Sequence, residues 1–313
     1  MTTLPASGTP VEDGPDFICV GMPKAGTGWL YDQLDAHPDF WMPPVKELVY
    51  LNQEYPALKF VDENGVPVQS RKERLARKRG SFSPEGRERP GERLVHRISL
   101  DERDTAFLKY ASSGRDKPMD MDFYAGLFQF RGGLKSGDIT PPYCNLESGT
   151  IADIVQRFPA MKVLLLVRDP VARVWSRICM SHAGRGFDTA LLVDEAGFRS
   201  YVTTTRKLGG LSATQTYLRW REHVPQTDLR VFFFDDLVRE PARVRTEVLQ
   251  FLGADPEKRS GAIPPDHNRK AKEKLEMTPL ARAVLAEHFR EELKASTEIF
   301  GGPACEWPAL YGL

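Results

Sequence analysis

Cysteine is scarce in this 313-residue chain: Cys19, Cys144, Cys179 and Cys305 lie far apart and form no Cys-x-x-Cys pair. That spacing argues against structural zinc, and free thiols packed as small hydrophobes are the expectation, with no metal site foreseen. No run approaches the roughly 18 uninterrupted apolar residues that a membrane span requires. Residues 1–15 are rich in Thr, Ser, Gly and Pro and carry neither the basic segment nor the apolar core of a secretory leader. They read as a disordered tail, and the expected location is cytoplasmic. Net charge is missing as well, since 43 Lys and Arg balance 43 Asp and Glu. No overall field recruits nucleic acid or an anionic membrane, so neither is expected as a partner.

What is present suits a soluble core: 41% of the residues are hydrophobic, and the length fits one large α/β domain, residues 16–313, with an insertion. The insertion covers about residues 55–118, where the composition shifts. Between Arg71 and Arg97 ten Lys and Arg stand against four Glu. Such a run is a solvated face or mobile segment, or else a lid that attracts an anion.

Phe17-Ile18-Cys19-Val20 reads as a short strand, followed by the turn Gly21-Met22-Pro23-Lys24-Ala25-Gly26 and a helix opening at Thr27-Gly28-Trp29-Leu30. A strand, a glycine-bearing turn with one lysine and a helix N-terminus can aim several N–H groups at a phosphate. An ordinary strand-to-helix connection is the plainer alternative. A nucleoside-triphosphatase loop ends in Gly-Lys-Ser/Thr, whose hydroxyl holds magnesium. Here Lys24 comes early instead.

A second strand-to-helix junction follows the apolar run Met161 to Val167, whose continuity is that of a strand buried on both faces of a parallel sheet. Arg168-Asp169-Pro170 ends it and starts a helix, and Ser176 falls about two turns along, where a guanidinium and a hydroxyl can share one phosphate. Leu229 to Phe234 reads as a further buried strand, and Leu280 to Leu293 as one last helix. Ser181 to Gly210 reads as irregular chain forming part of an acceptor wall. Elsewhere, Lys46-Glu47 sits in an apolar, aromatic stretch, either as a surface ion pair on an edge strand or as a functional pair. His37, before Pro38, reads as a helix stop, and His182 as a structural histidine or a second titrating group.

Together these segments resemble the sulfotransferases that use 3′-phosphoadenosine 5′-phosphosulfate (PAPS). Pro23 to Thr27 matches the family's 5′-phosphosulfate loop, while Gly28 stands where a hydroxyl or longer side chain is usual. Arg168-Asp169-Pro170-Val171-Ala172-Arg173-Val174-Trp175-Ser176 matches its 3′-phosphate motif. Lys46-Glu47 resembles the segment that carries the general base in heparan-type and related bacterial members. Gly137-Asp138-Ile139-Thr140-Pro141-Pro142-Tyr143 is similar to the family's Thr-Pro-x-Tyr segment, with Ile139 where polysaccharide-acting members often have lysine.

The resemblance implies a P-loop-like, three-layer α/β fold with a central, mostly parallel sheet flanked by helices. It implies Lys24 and Glu47 as the catalytic pair and PAPS as donor, with 3′,5′-adenosine bisphosphate (PAP) as product. Lys24, Ala25, Gly26, Thr27, Gly28, Trp29, Arg168 and Ser176 become the expected donor contacts. Arg269 and Lys270 join them from a basic loop that departs from the family's spacing. The acceptor would be a glycan, lipid or small molecule bearing a hydroxyl, deprotonated by a Glu47 whose apolar surroundings favour proton uptake. Rival readings are a P-loop nucleotide kinase or triphosphatase, and a non-catalytic PAP-binding module of the same fold.

Overall fold

Phe17, Ile18 and Cys19 are all apolar, and all are fully buried in strand β1 (Phe17–Cys19). Successive strand residues face opposite ways, so uniform burial means that both faces of the sheet are covered. The computed structural model describes residues 14–52, 100–114, 118–184, 186–205, 208, 212–258, 263–267 and 275–313. Within them, strands β2 (Gly137–Ile139), β3 (Lys162–Val167) and β4 (Leu229–Phe233) complete a four-stranded sheet of order β2-β1-β3-β4. Every neighbour is parallel, with Phe17 opposite Gly137 on one side and Lys162 on the other, and Val163 opposite Leu229.

Parallel strands need crossovers, and helices supply them. In chain order these are α1 (Thr27–Asp35), α2 (Glu102–Ser113), α3 (Met121–Gly126), α4 (Ser148–Arg157), α5 (Pro170–Ala183), α6 (Glu195–Thr204) and α7 (Ala213–Arg221). After β4 come α8 (Phe234–Arg239), α9 (Pro241–Phe251), α10 (Pro279–His288) and α11 (Arg290–Phe300). The fold is therefore α/β, a central parallel sheet flanked by helices, as expected. Among the described residues no helix is long and apolar enough to cross a membrane.

Four local expectations are corrected. β4 lies at the sheet edge, so Arg230 is exposed on it, and Phe234 opens α8 instead of extending the strand. The last helix is broken at the buried Phe289, giving α10 and α11. The described residues between Ser181 and Leu208 are largely helical and not irregular. α5 continues to Ala183, and α6 begins where Asp194 accepts from the Gly197 N–H, a capping signal that outweighs the neighbouring glycines. Residues 40–51 contain no strand; Tyr50–Asn52 is a single 3₁₀ turn. Of the expected insertion, residues 53–99, including the basic run, lie outside the described residues, as does most of the expected tail. The remainder includes α2, which enters the core through Phe107 and Leu108.

Candidate active site

The turn after β1 is held from behind. The Val20 and Met22 N–H groups donate to Leu164 and Leu166 at 3.0 and 2.6 Å, extending the β1–β3 pairing into the loop. Ala25 N–H then closes back on Met22 O at 3.1 Å. Lys24 and Gly26 both take positive φ, 72° and 101°, turning the chain sharply into α1. Gly26 is required there, because a Cβ would stand 2.6 Å from Cδ2 of Leu237 on α8. No side chain caps α1, and its first helical bond is Leu30 N–H to Gly26 O. The helix therefore offers first-turn N–H groups and its positive dipole end to a ligand.

Arg168 leaves the end of β3 and comes back to this turn. Its Nη1 donates to the Lys24 carbonyl at 3.1 Å, and the guanidinium lies 4.1 Å from the ring centre of Phe234, the first residue of α8. A backbone bond from a cation and a cation–π contact fix the head group. Asp169 caps α5 by accepting from the Val171 N–H at 2.9 Å, and it also accepts from the Tyr311 hydroxyl. Burial raises the Asp169 pKa, an effect that the Tyr311 bond opposes. Ser176 is half-buried on α5, and one turn further Met180 Sδ lies 3.4 Å from Lys24 Nζ. Residues four apart share a helix face, so the Lys24 ammonium approaches the face of α5 that carries Ser176. The two sequence-distant motifs thus meet.

Glu47 joins them through its neighbour. Lys46 Nζ is 2.9 Å from Glu47 Oε1 and 3.4 Å from Thr27 Oγ1, linking the carboxylate to the phosphate-type loop. The Lys46 side chain is 9% exposed and that of Glu47 33%, so the pair lies at the rim of the site and not on open surface. The ion pair weighed for Lys46-Glu47 is present, but beside the loop and not on an edge strand, so the carboxylate expected in apolar surroundings is held by an ammonium. Lys46 was read from the sequence only as the partner in that pair; its contact with Thr27 was not foreseen.

A sequence profile described as the Sulfotransferase family matches residues 15–258, which takes in both motifs and the Lys46-Glu47 segment. The chain belongs to the sulfotransferase family. Among solved structures, this sulfotransferase is similar to a sulfotransferase from Alicyclobacillus acidocaldarius, at 19% identity and a TM-score of 0.58, covering 94% of this chain and 98% of that one. It is also similar to the sulfotransferase domain of the Synechococcus PCC 7002 olefin synthase, at 16% identity and a TM-score of 0.47, covering 95% and 99% of the two chains. A comparison with curated protein sequences gave no match.

The other expected site residues of this sulfotransferase divide. The Trp29 indole donates to Pro265 O at 2.6 Å, with Gln33 Nε2 donating to Pro264 O at 3.0 Å, so the ring is held between α1 and residues 263–267. On α5 the Trp175 indole donates to Leu275 O at 3.0 Å. These bonds anchor the two flanks of the segment that contains Arg269 and Lys270, which themselves lie outside the described residues. His182 is in the exposed last turn of α5. His37 is buried, accepting from the Asp39 N–H at 3.1 Å and contacting Asp255 O at 3.0 Å, as a structural stop should. Arg173 is 3% exposed, inside the fold and not at its surface. Among the described residues no group of His, Cys, Asp or Glu is arranged to hold a metal. Two cysteines are buried, and burial pushes the Cys19 thiol up to about 12 and Cys144 up to about 11, whereas Cys179 is half-buried and Cys305 exposed.

Proposed function

We propose that the protein moves a sulfuryl group from PAPS to an acceptor hydroxyl, with Glu47 as general base and Lys24 stabilising the leaving phosphate. The observation that carries this reading is the hydrogen bond from Arg168 to the Lys24 carbonyl, which draws the two anion-type motifs into one site. The residues fit such a donor. An uncapped helix N-terminus and a glycine whose Cβ position is already crowded form a backbone cradle suited to one phosphate. Arg168 and Ser176 are the residues to hold the other.

PAPS, when bound, would supply the activated sulfuryl group; the chain supplies position and charge. Backbone N–H groups of α1 and the Thr27 hydroxyl would hold the 5′-phosphate. Lys24 would meet negative charge as it builds on that phosphate, an electrostatic contribution of the kind that dominates group transfer. Glu47, located by Lys46, would take the acceptor proton. The acceptor class is a hydroxyl-bearing small molecule or glycan.

Thermal denaturation tests the donor. PAP without magnesium should raise Tm in proportion to RT ln(1 + [L]/Kd). Stabilisation by ATP with magnesium, and none by PAP, would replace this reading with a kinase or triphosphatase. PAP binding without transfer of ³⁵S from labelled PAPS to any acceptor would leave a binding module.

A further inference from the structure

The mechanism so far leaves several buried acids unused, and one of them lies behind Glu47. Asp138, the middle residue of β2, is 1% exposed, and three hydroxyls converge on its carboxylate. Thr140 Oγ1 donates to Oδ1 at 2.6 Å, while Tyr143 and Tyr124 donate to Oδ2 at 2.6 and 3.2 Å. The N–H of Leu48 is bonded to the same carboxylate.

Two of those hydroxyls face both ways. Thr140 Oγ1 also accepts from the Val49 N–H at 3.4 Å, and the Tyr143 hydroxyl accepts from the Leu51 N–H at 3.3 Å. Leu48, Val49 and Leu51 therefore all tie back, directly or through one hydroxyl, to a single carboxylate. The segment needs such a tie, because Glu47 and Val49 both have positive φ, 65° and 58°. For a β-branched valine that conformation persists only where surrounding bonds over-determine it.

We propose that Asp138 is a positioning residue for sulfuryl transfer: its carboxylate fixes the backbone of residues 48–51 and thereby aims the Glu47 carboxylate. The inference rests on the reading of Glu47 as the base. A carboxylate accepts at both oxygens, as this arrangement demands, whereas an amide presents a donor at one of them. In D138N one hydroxyl must turn away, and the backbone N–H behind it loses its anchor. T140V removes one link while keeping the side-chain shape, so it serves if D138N does not fold.

The experiment is a double-mutant cycle with E47Q, read as turnover of ³⁵S-labelled PAPS with glucose, 1-octanol and 2-naphthol as acceptors. PAP affinity and amide hydrogen exchange at Leu48, Val49 and Leu51 are measured in parallel. D138N should lower kcat roughly 10- to 100-fold, the size expected for a catalytic group displaced by about an ångström. It should leave PAP affinity within about twofold, speed exchange at those three amides, and add nothing further in the E47Q background. Unchanged turnover, an equal loss in the E47Q background, or a parallel collapse of PAP affinity would overturn the proposal. Wild-type protein that binds PAP but transfers to none of the acceptors counts against the catalytic reading. Unchanged amide exchange in D138N counts against the anchoring itself.

Discussion

Two glycines separated by a single residue should respond to alanine in opposite directions. Gly26 has φ 101°, and a Cβ there would lie 2.6 Å from Leu237 Cδ2 and 3.5 Å from both Leu166 Cδ2 and Phe234 Cδ2. Left-handed backbone costs an L-residue about 1–2 kcal/mol. Pressing an extra carbon into a packed core costs about 1–3 kcal/mol more. Leu237 is a flexible side chain, but at 8% exposure it has little space to retreat into. G26A should therefore lose about 2–5 kcal/mol, which for a domain of this size lowers Tm on the order of 10 °C. PAP affinity should fall with it, because the strain is relieved most easily by moving the cradle. Gly28 lies inside α1, and its Cβ would meet nothing within 4 Å. G28A should gain about 0.5–1 kcal/mol, since alanine loses less backbone entropy in a helix. Calorimetry of both variants, with isothermal titration of PAP, decides the matter. A G26A Tm equal to the parent's, or a G28A Tm that drops as far as that of G26A, would refute the account of the loop.

Further outcomes follow from the other contacts. E47Q should cut turnover about 10²–10⁴-fold with PAP affinity preserved; near-full turnover would remove Glu47 as the base and turn attention to His182. Y311F deletes the hydroxyl that bonds Asp169. Leaving that buried carboxylate short of a donor should cost about 1–3 kcal/mol in urea unfolding, and an unchanged midpoint would show that the bond contributes nothing. His37 has its pKa pushed below the ordinary 6.5 by burial. The unfolded chain then takes up a proton that the folded chain resists, so stability falls as pH drops through that value. H37Q should lose less stability than the parent between about pH 7.5 and about pH 5, and equal losses would exclude His37 as a source of acid sensitivity.

Local signals carried much of the fold. Apolar continuity marked β1 and β3, and the breaks at Lys24 and Arg168 marked the turns, because strand burial and helix initiation act over a few neighbouring residues. Lys24 and Arg168, picked from two separate motifs, meet through one hydrogen bond. Contacts between distant residues were not legible. Tyr311 and Asp169 stand 142 positions apart, and nothing in either neighbourhood announces the other. For Ser-Gly-Asp-Ile-Thr the resemblance implied a strand at the rim of the site, but the burial of Asp138 follows from pairing with β1 and could not be read from so polar a segment. The break at Phe289 was hidden because the apolar spacing continues across it.

The central position of β1 bears on how the molecule is made. Its partners are residues 137–139 and 162–164, so loop closures of more than a hundred residues come before its pairing. On a ribosome, Lys24 emerges well over a hundred residues before β3, and its turn acquires no template until β3 has followed it out. The loop proposed to hold the sulfuryl donor is thus made before the strand that templates it, and a fragment of this chain ending before residue 160 should show no affinity for PAP.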